Sequence, residues 1–217
     1  MRGDERSEFE EALRGAERSL ARRDEVMRRL VRHYGPCTIR PHQRYFETMV
    51  NAIVSQQLST KAAETIFARF RALYRETARG RFPTAAAILQ TSDLELRGVG
   101  LSFQKIGYIR DLAGQVDEGR LKLNRLVRMT DDEVVATLTA VKGIGVWTAQ
   151  MFLIFSLARL DVFPVGDLGV RKAIQQQFGF EKLPEPAEME ALAAARRWSP
   201  WRSVASWYLW RSLENKP

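Results

Sequence analysis

The chain has 217 residues, 45% of them hydrophobic and 10% aromatic, which is material for about one to one and a half domains with a real core. No apolar run approaches the roughly eighteen uncharged residues that a membrane span needs, and the first residues, Met1-Arg2-Gly3-Asp4-Glu5-Arg6, lack the apolar centre of a secretory signal. One cysteine, Cys37, excludes an internal disulfide, a four-cysteine zinc site and a self-contained iron–sulfur cluster, so a reducing cytoplasm is the expected compartment and no membrane partner is expected.

Lysine and arginine number 34 against 26 acids, a net charge of +8, which favours a polyanionic partner. Residues 1–34 hold nine basic and eight acidic side chains, so nearly all the excess lies in residues 35–217, and the basic partner surface is expected there. A solubilising excess on an ordinary enzyme fits the charge count as well, so motifs must decide.

Ser7 to about His33 reads as one or two charged amphipathic helices with Phe9, Leu13, Leu20, Met27, Leu30 and Val31 as the apolar stripe, stopped by Tyr34-Gly35-Pro36. Phe46, Met49, Val50, Ile53 and Val54 mark the next helix. After the polar turn Ser55-Gln56-Gln57-Leu58, Ser59 caps another with Ala62, Ala63, Ile66, Phe67, Phe70 and Leu73. Short helices start at Phe82-Pro83-Thr84 and at Asp93, and a longer one from Ser102 to about Val116 turns Ile106, Ile109, Leu112 and Val116 inward. Arg97-Gly98-Val99-Gly100 reads best as a helix C-cap. Asp131–Ala140, Val146–Leu157, Leu168–Phe178, Ala187–Trp198 and Trp201–Leu213 complete about ten helices, with Leu183-Pro184-Glu185-Pro186 a stiff elbow before the last two. With no sustained period-two stretch, the expected fold is all-α, a two-lobed helical body. His33 and His42 carry no acid pattern for a metal and read as surface or capping residues.

The sharpest local signal is Val141-Lys142-Gly143-Ile144-Gly145-Val146-Trp147-Thr148-Ala149. Alternate glycines permit positive φ and leave amides bare, while Val141 and Ile144 anchor the turn. Those amides and the positive end of the next helix suit a DNA phosphate, and a tight helix–helix turn with a glycine cap fits the spacing equally. Further on, Phe163-Pro164-Val165-Gly166-Asp167-Leu168-Gly169-Val170-Arg171-Lys172 is a Pro/Gly loop opening a helix, with Asp167 at its mouth. Taken alone, such an aspartate is an N-cap. Arg171 and Lys172 could meet phosphates or coat a helix.

Together these segments resemble the helix-hairpin-helix DNA glycosylase superfamily. From about Phe46 to Trp210 the chain is similar to the 3-methyladenine DNA glycosylase II family, through Ala52-Ile53-Val54-Ser55-Gln56-Gln57-Leu58-Ser59, Phe82-Pro83-Thr84, the hairpin, Asp167 and Arg197-Trp198-Ser199-Pro200-Trp201-Arg202-Ser203. Relatives with longer chains add an N-terminal α/β domain, so the resemblance implies a compact form: charged N-terminal helices over 1–34 packed on a glycosylase body over 35–217, with the active-site cleft between two helical lobes.

The resemblance implies a function and a site. The expected activity is excision of alkylated bases, of the 3-methyladenine or 7-methylguanine type, from double-stranded DNA, the first step of base excision repair. Hydrolysis of an N-glycosidic bond passes through a sugar cation, so a carboxylate near the anomeric carbon is needed, and Asp167 is the matching position. Asp161, six residues earlier, is the competing acid. Gln57, with Leu58 beside it, matches the wedge that fills the space left by a flipped base. Trp147 and Trp210 match aromatic positions of the base pocket, and Met151 stands where some members have an aromatic; indole faces attract cationic alkylpurines. Core packing explains any single tryptophan as well.

Gly143, Ile144 and Gly145, with Lys142 and Thr148, match the phosphate-binding hairpin. Relatives that also cleave the backbone carry a lysine where this chain has Trp147, so no lyase activity is expected. No cofactor is required by the resemblance and no iron–sulfur cluster is expected, although the hairpin could hold a monovalent cation through the carbonyls of Thr139, Val141 and Ile144. A monomer on duplex DNA is the simplest expectation. Two alternatives stay open: a non-catalytic hairpin module that binds DNA structure, with Asp167 only a cap, and a glycosylase for other lesions.

Overall fold

The computed structural model describes residues 3–214, with side chains placed over 6–213. Among them are twelve α-helices, one 3₁₀ helix and no strand, so the fold is all-α as the patterning requires. Contacts divide the chain into two compact units, one of the described residues up to Pro41 together with those from Leu153 onward, the other His42–Phe152.

The first unit begins with α1 (Gly3–Arg23) and α2 (Glu25–Tyr34), separated only by Asp24. The carboxylate of Asp24 accepts from the amides of Val26 and Met27, so one residue both ends α1 and caps α2. Its other oxygen accepts from the indole N–H of Trp198 at 3.0 Å. A buried carboxylate is tolerable here because both oxygens are bonded. The unit continues with α10 (Leu168–Phe178), α11 (Pro186–Ala195) and α12 (Arg202–Glu214). α12 packs on α1, α2 and α10. Trp198 is fully buried between the rings of Phe163 and Phe178, at 5.9 and 5.7 Å. Truncating it to alanine would cost about 3–5 kcal/mol, as large core aromatics do. Tyr208 donates to Gly35 O at 2.8 Å, and Glu17 accepts from the Cys37 amide at 2.7 Å. Burial pushes the Cys37 thiol up to about 12, so the chain's one thiol is chemically quiet.

The second unit holds α3 (Tyr45–Ser55), α4 (Thr60–Leu73), α5 (Ala85–Gln90), α6 (Asp93–Gly98), α7 (Phe103–Asp117), the 3₁₀ helix Leu123–Arg128 and α8 (Asp131–Thr139). Hydroxyl caps start most of them: Ser59, Thr84, Ser92, Ser102 and Thr130 each accept from an amide of the first turn. The patterning along the chain does not predict the 3₁₀ helix; its buried Leu123 and Leu126 are three apart, the spacing that eclipses in a 3₁₀ turn and is too short to register as a period. α7 is the central element, packed on α3, α5 and α6, with Ile106, Ile109 and Leu112 buried. Phe46, Phe67 and Phe70 surround Phe82 at about 6 Å, forming an aromatic layer under α4. The final helix, α9 (Val146–Phe155), contains the boundary between the units, after Phe152.

Candidate active site

Asp167 stands where the sequence places it, at the mouth of α10. The loop Phe163–Gly166 closes by bonds from Val165 N to Phe163 O and from Asp167 N to Pro164 O, both 2.9 Å, which delivers the aspartate to the N-cap. Its Oδ1 accepts from the amide of Val170 at 2.7 Å and from the indole N–H of Trp210 at 2.8 Å. Two short bonds on one oxygen fix the plane of the carboxylate. Asp167 is 8% exposed, so its charge acts in a partly water-excluded setting. Gly169 makes the arrangement possible: a Cβ there would lie 3.0 Å from Asp167 Oδ1 and 3.1 Å from Trp210 Cδ1. The Trp210 ring in turn rests on Phe155 at 5.5 Å.

Asp161, the competing acid, is committed to structure. Arg202 grips both of its oxygens, Nε to Oδ1 at 2.8 Å and Nη2 to Oδ2 at 3.0 Å, and Ser199 donates to Oδ2 at 2.9 Å. Burial works to raise its pKa, but the Arg202 and Ser199 bonds outweigh that and hold it below the usual carboxylate range. Asp161 thereby pins the N-terminus of α12, the helix that carries Trp210.

The hairpin connects α8 to α9. Val141 and Ile144 are buried, and Ile144 N donates to Val141 O at 3.1 Å, closing the turn. Gly143 has φ +80°, and a Cβ there would run into the Tyr108 ring, so no other residue fits. Gly145 and Val146 are exposed. The amide of Lys142 is taken, donating to Asp111 Oδ2 at 2.9 Å, which leaves its exposed side chain as the part that can reach outward. Thr148, in the first turn of α9, is buried at 6% exposure. Thr139 ends α8, and its hydroxyl donates back to Val135 O.

Gln57 occupies the left-handed region at φ +56°, costly for a residue with a side chain, at an exposed turn between α3 and α4. Leu58 beside it is 39% exposed. Two residues to which the sequence assigns no role, Lys105 and Gln56, hold this turn. Lys105, on α7, donates to Val54 O at 2.6 Å and to Gln56 O at 2.8 Å, so its ammonium satisfies carbonyls left over at the C-terminal end of α3. Gln56 Nε2 donates to Gly143 O at 2.7 Å. The candidate wedge and the candidate phosphate hairpin are therefore one braced assembly, with Lys105, Tyr108 and Asp111 of α7 behind both. Their i, i+3, i+6 spacing marks a polar stripe on α7, a signal too weak to separate from a solvated face.

Trp147 is 49% exposed at the start of α9, and half-buried Met151 follows one turn later. Phe155, another four residues on, extends the same stripe. Trp147 and Met151 belong to the second unit, Asp167 and Trp210 to the first. Among the described residues no cluster of three or more His, Cys, Asp or Glu could hold a metal ion, and no helix is long and apolar enough to cross a membrane.

This combination of a glycine hairpin, a proline-glycine loop and a capping aspartate defines a class of helical DNA-repair proteins. Residues 50–200 match the model of the HhH-GPD superfamily base excision DNA repair proteins, and the chain belongs to that family. It is 34% identical over 213 residues to DNA-3-methyladenine glycosylase 1 of Schizosaccharomyces pombe, covering 96% of this chain and 91% of that protein. Among solved structures, the 3-methyladenine DNA glycosylase of the same yeast in complex with abasic DNA superposes with a TM-score of 0.80 at 33% identity, over 93% of this chain and 97% of that one. A DNA-3-methyladenine glycosidase from Bacillus halodurans gives a TM-score of 0.76 at 34% identity, over 89% and 87%.

Proposed function

We propose that this protein is a monofunctional DNA glycosylase that removes alkylated bases, of the 3-methyladenine and 7-methylguanine type, from duplex DNA. The observation that carries the reading is Asp167: a carboxylate oriented through one oxygen by Trp210 and α10, in a family defined by base excision repair. Similarity to 3-methyladenine glycosylases over almost the whole chain supports the substrate class.

The chemistry follows from charge. As the C–N bond lengthens, its electron pair leaves with the base and positive charge builds on the sugar. A fixed anion near that charge lowers the barrier without reorganising. Water then adds to the anomeric carbon and gives up a proton, for which the carboxylate is an acceptor. A base alkylated at N3 or N7 is already cationic and departs neutral, so no general acid is required. Trp147 and Trp210 offer indole faces that attract such a cation, and Met151 adjusts the room beside Trp147. Gln57 and Leu58 occupy the step that the base vacates. Gly143, Ile144 and Gly145, with Lys142 and the Thr148 amide, hold a phosphate. The carbonyls of Thr139, Val141 and Ile144 are a neutral oxygen set suited to a monovalent cation, which would add positive charge beside that phosphate.

Backbone cleavage needs an amine nucleophile, and the first turn of α9 carries Val146, Trp147 and Thr148 instead. Borohydride should therefore trap no protein–DNA adduct. The protein acts as a monomer on DNA.

The decisive test is release of free 3-methyladenine from methylated duplex by wild type and Asp167→Asn, with duplex binding measured on both. Asparagine is as good an N-cap as aspartate and still accepts from Trp210, so this change removes charge while keeping structure. Excision should fall by at least about 10²–10³-fold with binding retained, on the scale of losing a preorganised electrostatic contact. Excision unaffected by the substitution would remove Asp167 from the mechanism; binding without excision by either protein would favour the non-catalytic module.

A further inference from the structure

By composition the N-terminal segment is nearly neutral, but the structure sorts its charges by face. Asp24 is buried in its bonds to α2 and Trp198, and Glu17 turns to the Cys37 amide and Tyr208. Glu10 pairs with Arg6. What remains on one side of α1 and α2 is a hollow of about 340 Å³ lined by Arg18, Ala21, Arg22, Arg28, Val31 and Arg32, with no acid in its wall. Arg18 and Arg22 are one turn apart on α1, Arg28 and Arg32 one turn apart on α2, and the one-residue connection holds the two pairs side by side. Arg28 Nε donates to Ala21 O at 2.9 Å, which seats one guanidinium across the helix pair. All four are exposed, and no carboxylate among the described residues pairs with any of them. Adjoining this hollow, Arg28, Arg29, Arg32 and His33 line a second one with one acid, Glu25, and Arg18 borders a third with Arg14, Glu10 and Glu11.

We propose that this arginine cluster is a second binding surface for the sugar–phosphate backbone of duplex DNA, made of residues other than those of the hairpin and Asp167. Four like charges on neighbouring turns, with no carboxylate in the wall of the hollow they share, repel one another and are relieved by an external anion. Guanidinium forks match phosphate oxygens two at a time. Arginines one turn apart lie about 6 Å from each other along their helix, so each pair can reach two phosphates of one strand. Such contacts are blind to sequence and damage, and they would keep the enzyme on undamaged DNA between lesions. The proposal takes duplex DNA as ligand from the function above, but not the excision chemistry.

The test compares wild type with Arg18→Gln/Arg22→Gln/Arg28→Gln/Arg32→Gln and with the matching four-lysine variant. A fourth protein, Arg18→Gln/Arg22→Gln/Arg32→Gln, keeps the Arg28 bond to Ala21 in case the fourfold change unfolds the helix pair. Affinity for a long undamaged duplex is measured against salt concentration. For each phosphate that the protein ceases to neutralise, the slope of log K against log salt falls by about 0.9, so the glutamine variants should flatten it by about two to four while the lysine variant keeps it. Single-turnover excision from a short saturating methylated duplex should stay at the wild-type rate. Failure of that excision in wild type would strike at the glycosylase reading alone, because the salt slope is read on undamaged DNA. An unchanged slope in the folded glutamine variants overturns the proposal. So does a slope that stays while binding to phosphatidylserine vesicles is lost, which would assign the cluster to a lipid surface.

Discussion

Replacing Lys105 by methionine tests whether the brace behind Gln57 matters for catalysis or only for folding. Methionine keeps the length of the side chain and removes the ammonium that bonds Val54 O at 2.6 Å and Gln56 O at 2.8 Å. Hydrogen bonds to a charged group contribute about 1.5–3 kcal/mol each. The lysine is only partly buried and water can recover part of the loss, so the total cost is about 2–3 kcal/mol. For a chain of this size that lowers Tm by about 4–12 °C. The same bonds hold Gln57 in a left-handed conformation that costs about 1–2 kcal/mol. Without them the turn relaxes, the Gln56 bond to Gly143 loosens and the wedge is displaced. The matched assay is single-turnover excision from a paired duplex and from an unpaired bubble, where the cost of flipping is small. Duplex excision should fall about ten- to a hundredfold, at about 1.4 kcal/mol per tenfold, while bubble excision falls much less. An equal loss on both substrates, or a lower Tm with full duplex activity, would refute the brace.

Two further substitutions separate orientation from stability. Gly169→Ala puts a methyl 3.0 Å from Asp167 Oδ1 and 3.1 Å from Trp210, so the indole must retreat by a few tenths of an ångström even as alanine favours the helix by up to about 1 kcal/mol. Thermal stability should change little and excision should fall about tenfold; retained activity would show that the Trp210 bond does not set the carboxylate. Asp161→Asn breaks the paired grip of Arg202 and should destabilise by about 1–3 kcal/mol with per-molecule excision near wild type, because Asp161 supports a helix and does no chemistry. Its folded pKa lies below the unfolded value, so the wild-type contribution is full above the ordinary carboxylate pKa and is lost as pH falls through the lowered one. The stability gap between the two proteins should therefore close on acidification, and a gap that persists at low pH would contradict that assignment.

What the sequence shows and what it hides divide by distance along the chain. The N-caps, the hairpin and the loop to Asp167 are local: each depends on residues within one or two turns, and Ser, Thr and Asp at helix starts and glycine at positive φ are visible as types. The brace is not local. Lys105 lies 51 residues from Val54, and Asp111 lies 31 residues from Lys142, so a lysine and an aspartate on the polar side of α7 look like any solvated pair until the acceptors arrive. Charge counting misleads for the same reason on α1 and α2: Asp24 cancels an arginine in the sum, but its long-range partners are Trp198, 174 residues away, and Arg196, and the cancelled arginine remains exposed. Trp210 makes the point most sharply. As a residue type it is an aromatic that could stack on a base or fill a core. In the fold its N–H edge belongs to Asp167 and its ring rests on Phe155, so one side chain ties the carboxylate to the aromatic packing. On the proposed assignment stacking and orientation are coupled: a base that shifts the indole would also shift the carboxylate set against its sugar.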